Sequence, residues 1–138
     1  MKILLDTNII LDIFLTREPN IKTSEKIFEL ILQDKINGYL TANSVTDIYY
    51  ITAKRLGNEA ARKALRNLFD LVEIINVDGS DCIVALDLPV TDYEDALVVA
   101  CAKKTKIDYI ITNDNNFLCA GYDSTNIILP FDFLQNFS

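Results

Sequence analysis

Short apolar runs recur along this chain at 2–5, 39–42, 72–77, 107–112 and 126–129, with helical patterns between them. Runs this short have the length of strands. A parallel pair of strands needs a crossover, and a helix is the usual way to make it. The alternation therefore predicts an α/β fold with a parallel or mostly parallel sheet. Helices are expected over 9–15, after Asn8; from a cap at Thr23 or Ser24 to a stop at Asn37-Gly38; and from Asn43 to about Leu56, ended by Gly57-Asn58. Further helices are expected over 59–70, about 80–87, from a cap at Asp92 to about Lys104, over 114–119, and in the tail PFDFLQNF with Pro130 in its first turn. Ile27, Phe28, Leu30, Ile31 and Leu32 should face inward on one helix, and Ala61, Leu65, Leu68 and Phe69 on another. At 138 residues, without repeat or linker, the chain reads as one domain, 1–138.

Four aspartates interrupt this apolar pattern. Asp6 closes KILLD, Asp47 lies in TANSVTDIYYI, Asp95 opens DALVVACA, and Asp114 follows YIITN. In parallel α/β sheets, ligands lie beyond the carboxyl ends of the strands. Asp6 and Asp114 come at or just past such ends, while Asp47 and Asp95 fall early in helices. All four can face one rim of the sheet. Each also has a plainer reading. DTN at 6–8 offers several helix caps, and Asn8 is expected to cap and leave Asp6 free. DYED at 92–95 resembles a capping box, with Asp92 as the cap, Asp95 left for the site, and Glu94 facing solvent or the pocket edge. Asp114 also suits a turn. The joint arrangement carries the argument.

Two carboxylates about 5 Å apart repel by about 3 kcal/mol at an effective dielectric of 20. Four gathered acids therefore protonate in part or take up a divalent cation. Carboxylate and water ligands favour Mg²⁺ or Mn²⁺. Such an ion offsets charge building on a phosphoryl group, which suits phosphodiester hydrolysis. The chain has no histidine. That excludes Ser-His-Asp and Cys-His nucleophiles and His-ligated zinc. Neither GxxxxGK[ST] nor GxGxxG occurs. The net charge of −7 is unlike that of a general nucleic-acid binder. Lys54, Arg55, Arg62, Lys63 and Arg66 nevertheless fall close together, as a solvated helix face or a strip that tracks phosphates. Tyr49, Tyr50 and Tyr109 sit in core-like patterns and are expected to pack rather than stack on bases. Cys82, Cys101 and Cys119 fit small buried thiols of a reducing cytoplasm. The apolar N-terminus, broken by Asp6 and Asp12, reads as neither signal peptide nor membrane span.

The chain resembles the PIN-domain family, which includes the VapC-like toxins of bacterial toxin–antitoxin pairs. The resemblance rests on LLDTNIILD at 4–12, SVTDIYY at 44–50, DYEDALVVACA at 92–102 and IITNDNNF at 110–117, in that order. It implies a three-layer α/β/α sandwich around a parallel five-stranded sheet. It also implies a Mg²⁺- or Mn²⁺-dependent endoribonuclease, an RNA substrate, an antitoxin partner and a homodimer. Asp6, Asp95 and Asp114 match the first, third and fourth motif acids and would hold the metal directly or through water. Asn8 and Thr112 match polar residues that support the carboxylates. Asp47 completes the acidic cup, where the family more often has Glu, and its shorter arm draws the carboxylate back by about one methylene. Lys54, Arg55 and Arg62 are candidates for RNA backbone contact. A catalytically weak or inactive PIN-like module that binds RNA or a protein is the alternative. A phosphoaspartate protein is disfavoured by DTN after the first strand and by the lack of Lys beyond residue 106.

Overall fold

The computed structural model describes residues 1–119 and 126–137. Five strands, β1 (Lys2–Leu5), β2 (Asn37–Thr41), β3 (Val72–Ile75), β4 (Tyr109–Ile111) and β5 (Asn126–Ile128), form a sheet of order β3-β2-β1-β4-β5. Every neighbouring pair is parallel. The central strand β1 is flanked on both sides and its Ile3, Leu4 and Leu5 are buried, as a strand covered on both faces requires. Alternation divides the core. Ile3 and Leu5 join one cluster with Ile9, Ile10, Ile27, Leu40, Ile48 and Phe133. Leu4 joins the other with Ala96, Val99, Cys101, Ile110 and Phe117. Successive side chains of one strand thus supply two helix layers, giving the three-layer α/β/α sandwich.

The helices are α1 (Thr7–Phe14), α2 (Ile21–Leu32), α3 (Ala42–Leu56), α4 (Asn58–Phe69), α5 (Gly79–Leu86), α6 (Tyr93–Thr105), α7 (Asn115–Cys119) and α8 (Pro130–Phe137). Several sequence expectations need correction. Helix α2 starts before Thr23, and it ends well short of Gly38 because Asp34 turns into the left-handed region at φ 56°. Asn37 and Gly38 open β2 instead, and Gly38 runs close against Ile31 and Val72. Leu32, Phe69 and Tyr50 were expected inward but are exposed, Tyr50 to 70%. Of the three cysteines only Cys101 is buried, while Cys82 and Cys119 are exposed. Among the described residues, no helix is long and apolar enough to cross a membrane.

Two devices fix α6, the helix that brings Asp95 to the rim. At its amino end, Asp92 Oδ1 accepts the Asp95 N–H at 3.0 Å and Tyr93 Oη donates to the Cys82 carbonyl at 2.7 Å. Near its carboxyl end, Lys104 Nζ donates to the Asn76 carbonyl at 2.6 Å and pairs with the buried carboxylate of Asp81. Asp81 is itself held by a reciprocal capping box with Asp78.

Gly57 joins α3 to α4 at φ 91°, ψ 162°, with open space where a Cβ would stand. The conformation is open almost only to glycine. Gly57→Ala is therefore expected to destabilise the protein by about 1–3 kcal/mol through the backbone alone. Urea unfolding should show a lower midpoint with an unchanged slope.

Candidate active site

The carboxyl edge of the sheet gathers the acids. Asp6 directly follows β1, and its N–H donates to the Ile111 carbonyl at 3.0 Å, which sets it beside β4. Its Oδ1 accepts the Thr7 N–H at 2.8 Å, so Asp6 itself caps α1. The expectation that Asn8 would cap is thus corrected, since Asn8 lies inside the helix. Capping does not remove Asp6 from the site. Its Oδ2 accepts Thr112 Oγ1 at 2.6 Å and Asn8 Nδ2 at 3.0 Å. Thr112 is fully buried. Its hydroxyl spends its one proton on Asp6 and accepts the Asp114 N–H at 3.0 Å and Asn8 Nδ2 at 3.3 Å. The first-strand and fourth-strand acids are thereby tied through one hydroxyl. Asp114 Oδ1 then accepts the Asn116 N–H at 2.9 Å, an Asx turn that starts α7.

Asp95 stands in the first turn of α6, half-buried, with its N–H taken by Asp92. A cavity of about 560 Å³ opens beside it, lined by Val90, Thr91, Asp92, Asp95, Asp114 and Asn116 among others. Burial, then the charges of Asp92, Asp6 and Asp114, push the Asp95 carboxyl up to about 7. Burial also raises Asp6, with Asp114 adding to it, against the opposing hydrogen bonds from Thr112, Thr7 and Asn8. Asp95 therefore feels both Asp6 and Asp114.

Asp47, in the second turn of α3, meets Glu94. Burial first, then the hydrogen bond to Asp47, and then the charges of Asp47, Asp92 and Asp6, raise the Glu94 carboxyl. Glu94 was expected at the solvent or pocket edge, and its part in the cluster was missed. No spacing rule links positions 47 and 94, and the only cue was its place one residue before Asp95. Asp12 and Asn113 were missed as well. Asp12 is 4% exposed, and its Oδ2 accepts Asn113 Nδ2 at 2.9 Å. The cue was there, a lone acid within the apolar run IILDIF.

The basic candidates stand apart. Lys54 and Arg55 lie in the last turn of α3. That is about 10–12 Å along the axis from Asp47, at 1.5 Å per residue. Arg62, on α4, is turned over the Tyr49 ring, 5.5 Å from its centroid.

Among the described residues, no three Asp, Glu or Cys side chains converge closely enough to grip one ion directly. The donor set still fits a hydrated Mg²⁺ or Mn²⁺. Its donors are hard carboxylate oxygens, and Mg²⁺ keeps several waters while touching one or two carboxylates. The raised carboxyls of Asp6 and Asp95 also mark crowded negative charge that a cation would relieve.

Comparison with known proteins places these features. A family model described as PIN domain matches residues 2–116. Ribonuclease VapC1 of Aquifex aeolicus is 28% identical over 121 residues, covering 84% of this chain and 83% of that protein. VapBC2 of Rickettsia felis, solved bound to a DNA fragment from its promoter, is similar in structure with a TM-score of 0.70 at 15% identity, covering 94% of this chain and 98% of the other. VapC20 of Mycobacterium tuberculosis, described as a toxin that cleaves the sarcin-ricin loop, gives a TM-score of 0.69 at 18% identity, covering 87% and 95%.

Asp95 yields a pH test. Its folded value near 7 lies above the ordinary 3.8, so the folded protein binds the proton more tightly than the unfolded chain. The associated stability is full below about pH 3.8 and is lost progressively as pH rises from there through about 7. Asp95→Asn mimics the protonated form at every pH. In metal-free buffer the melting temperatures of Asp95→Asn and wild type should lie close together only at about pH 3, below the unfolded value of 3.8. They should diverge by about pH 8, the variant melting higher. A constant offset across that range would refute the shared electrostatics.

Proposed function

The chain belongs to the PIN-domain family, and from that premise we propose that it is a Mg²⁺- or Mn²⁺-dependent endoribonuclease, the toxin of a toxin–antitoxin pair. The observation that carries this reading is the gathering of acids at the sheet's carboxyl edge, where Thr112 Oγ1 ties Asp6 to the Asp114 backbone and both acids raise the Asp95 carboxyl. The relatives named as ribonuclease and as toxin support it.

Asp6, Asp95 and Asp114 would hold the cation, in part through its waters. When bound, the cation supplies Lewis acidity, lowering the pKa of water and offsetting charge on the phosphoryl group. The chain's own groups do the rest. Thr112 and Asn8 hold Asp6 Oδ2 in place and fix its orientation. The Asx turn at Asp114 holds that carboxylate at the mouth of the cavity. Glu94, whose carboxyl is raised by burial and by Asp47, would be the group able to receive or return a proton, since the chain has no histidine. The RNA backbone passes across the cavity beside Asp95. Lys54, Arg55 and Arg62 remain candidates for contacts with more distant phosphates.

The partners follow from the same reading. An antitoxin would cover the site, the active protein would be a homodimer, and the place of action would be the cytoplasm, where the RNA is. The alternative of a weak or inactive binding module draws on Asp47 standing where the family more often has Glu.

Incubation with single-stranded RNA is expected to give cleavage that needs Mg²⁺ or Mn²⁺ and is abolished by EDTA. Asp6→Asn should lower kcat/KM by about 100-fold or more, the order lost with one group that stabilises developing charge. Mn²⁺ should raise the melting temperature of the wild type but much less that of Asp6→Asn. RNA binding without cleavage would favour the inactive module.

A further inference from the structure

We propose that Asp12 is a positioning residue for this site: through Asn113 and Asn8, its buried carboxylate sets where Asp6 and Asp114 stand. The inference rests on the nuclease reading for its kinetic consequence, but its geometry stands alone. Asn8 and Asp12 are four residues apart on α1 and so share one face of the helix. That face meets the segment between β4 and α7. Asp12 Oδ2 accepts Asn113 Nδ2 at 2.9 Å, and Asn8 Oδ1 accepts the Asn113 N–H at 3.0 Å. The next N–H, that of Asp114, goes to Thr112 Oγ1 at 3.0 Å. The segment that carries Asp114 is thus fastened at three successive points, and Asp12 supplies the only charged one of the three.

Direction matters as much as attachment. An ionised carboxylate only accepts hydrogen bonds, so Asp12 fixes which end of the Asn113 amide faces it. Asn113, held in this way, presents its N–H to Asn8 Oδ1. Asn8 must then turn its amide nitrogen toward Asp6 Oδ2, 3.0 Å away, and Thr112 Oγ1, 3.3 Å away. One buried charge therefore orients the Asn113 amide and anchors the residue whose backbone N–H in turn orients Asn8 toward the first acid of the site. Packing does not account for an Asp at this position. Its neighbours Ile9, Ile10 and Leu11 are buried, and an apolar residue would fill the space without the cost of burying a charge. The Arg17 charge offsets part of that cost, and the Arg17 N–H binds the Asp12 carbonyl at 2.8 Å.

The test compares Asp12→Ala, Asp12→Asn, Asn113→Ala and the double variant Asp12→Ala/Asn113→Ala. Each is assayed for kcat and KM on an RNA oligonucleotide, and for affinity toward Mn²⁺ alone by calorimetry. Removing a group that orients a metal-site ligand typically costs about 10- to 100-fold in affinity or activity. Asp12→Ala should lower kcat by about that factor and weaken Mn²⁺ binding, with KM changed by less than about threefold. Asp12→Asn keeps an acceptor oxygen for Asn113 and should recover to within a few-fold of wild type. Asn113→Ala should reproduce the Asp12→Ala defect, and the double variant should be no worse than either single one, as for residues acting in one chain. A folded Asp12→Ala or Asn113→Ala with unchanged kcat and unchanged Mn²⁺ affinity overturns the proposal. If Asp12→Ala fails to fold, Asn113→Ala alone decides it, because Asn113 is only half-buried. A wild type that binds Mn²⁺ without cleaving RNA sinks the nuclease reading and leaves the Mn²⁺ comparison to decide Asp12. A wild type that does neither sinks both.

Discussion

Carboxylates repel, and this fold holds several of them against one another. Asp6 and Asp114 raise the energy of the charged form of Asp95, Asp114 does the same to Asp6, and Glu94 feels Asp47, Asp92 and Asp6. The sheet makes that possible. All five strands run parallel, so the ends of β1 and β4 and the starts of α1, α6 and α7 share one edge. The repulsion is met by burial elsewhere. The two apolar clusters on either side of β1 bind the acid-bearing elements together, and Ile3, Leu4 and Leu5 are fully or almost fully enclosed. The protein tolerates an unfavourable edge because its centre is strongly favourable.

The kind of support given to Asp6 is informative. The groups that lower its pKa are neutral donors, namely Thr112, the Thr7 N–H and Asn8. They fix its orientation and leave its charge in place. A lysine or arginine there would satisfy the carboxylate and remove its reason to attract a cation. Lys104 shows the contrast within the same molecule. It pairs with buried Asp81, and that pair ties α5 to α6. One acid is paired with a cation for architecture, while Asp6 at the rim is held by neutral donors.

Much of this was legible in the sequence, and the rest was hidden for identifiable reasons. Periodicity located the five strands and the long helices, because burial on two faces writes continuous apolar runs into strands such as IIT and KILL. The Asp92 cap and the place of Asp95 followed from local chemistry. Asn37-Gly38 misled because a glycine admitting close approach of Ile31 and Val72 looks in sequence like one ending a helix. Tyr50 misled because its spacing on α3 matches a buried stripe while tertiary packing leaves it outward. The contact of Glu94 with Asp47 joins residues far apart in sequence and has no local signature. Asp12 did leave a mark, as the one acid in IILDIF, but only the fold supplies its partner in Asn113.

The pairing of Asp47 with Glu94 bears on how a shorter side chain can serve where a longer one is usual. A glutamate at 47 would reach about one methylene further toward the acids of β1 and β4. Here the reach comes from the other side. Glu94 extends from the first turn of α6, next to Asp95, and its carboxyl meets that of Asp47. Negative charge next to Asp95 is thereby supplied by two helices instead of one. The substitution need not disable the site, since position 94 contributes the length that position 47 lacks. The arrangement also makes the lip sensitive to charge. A cation near Asp6 would lower the energy of the ionised Glu94 as well as of Asp95, since both carboxyls feel the Asp6 charge.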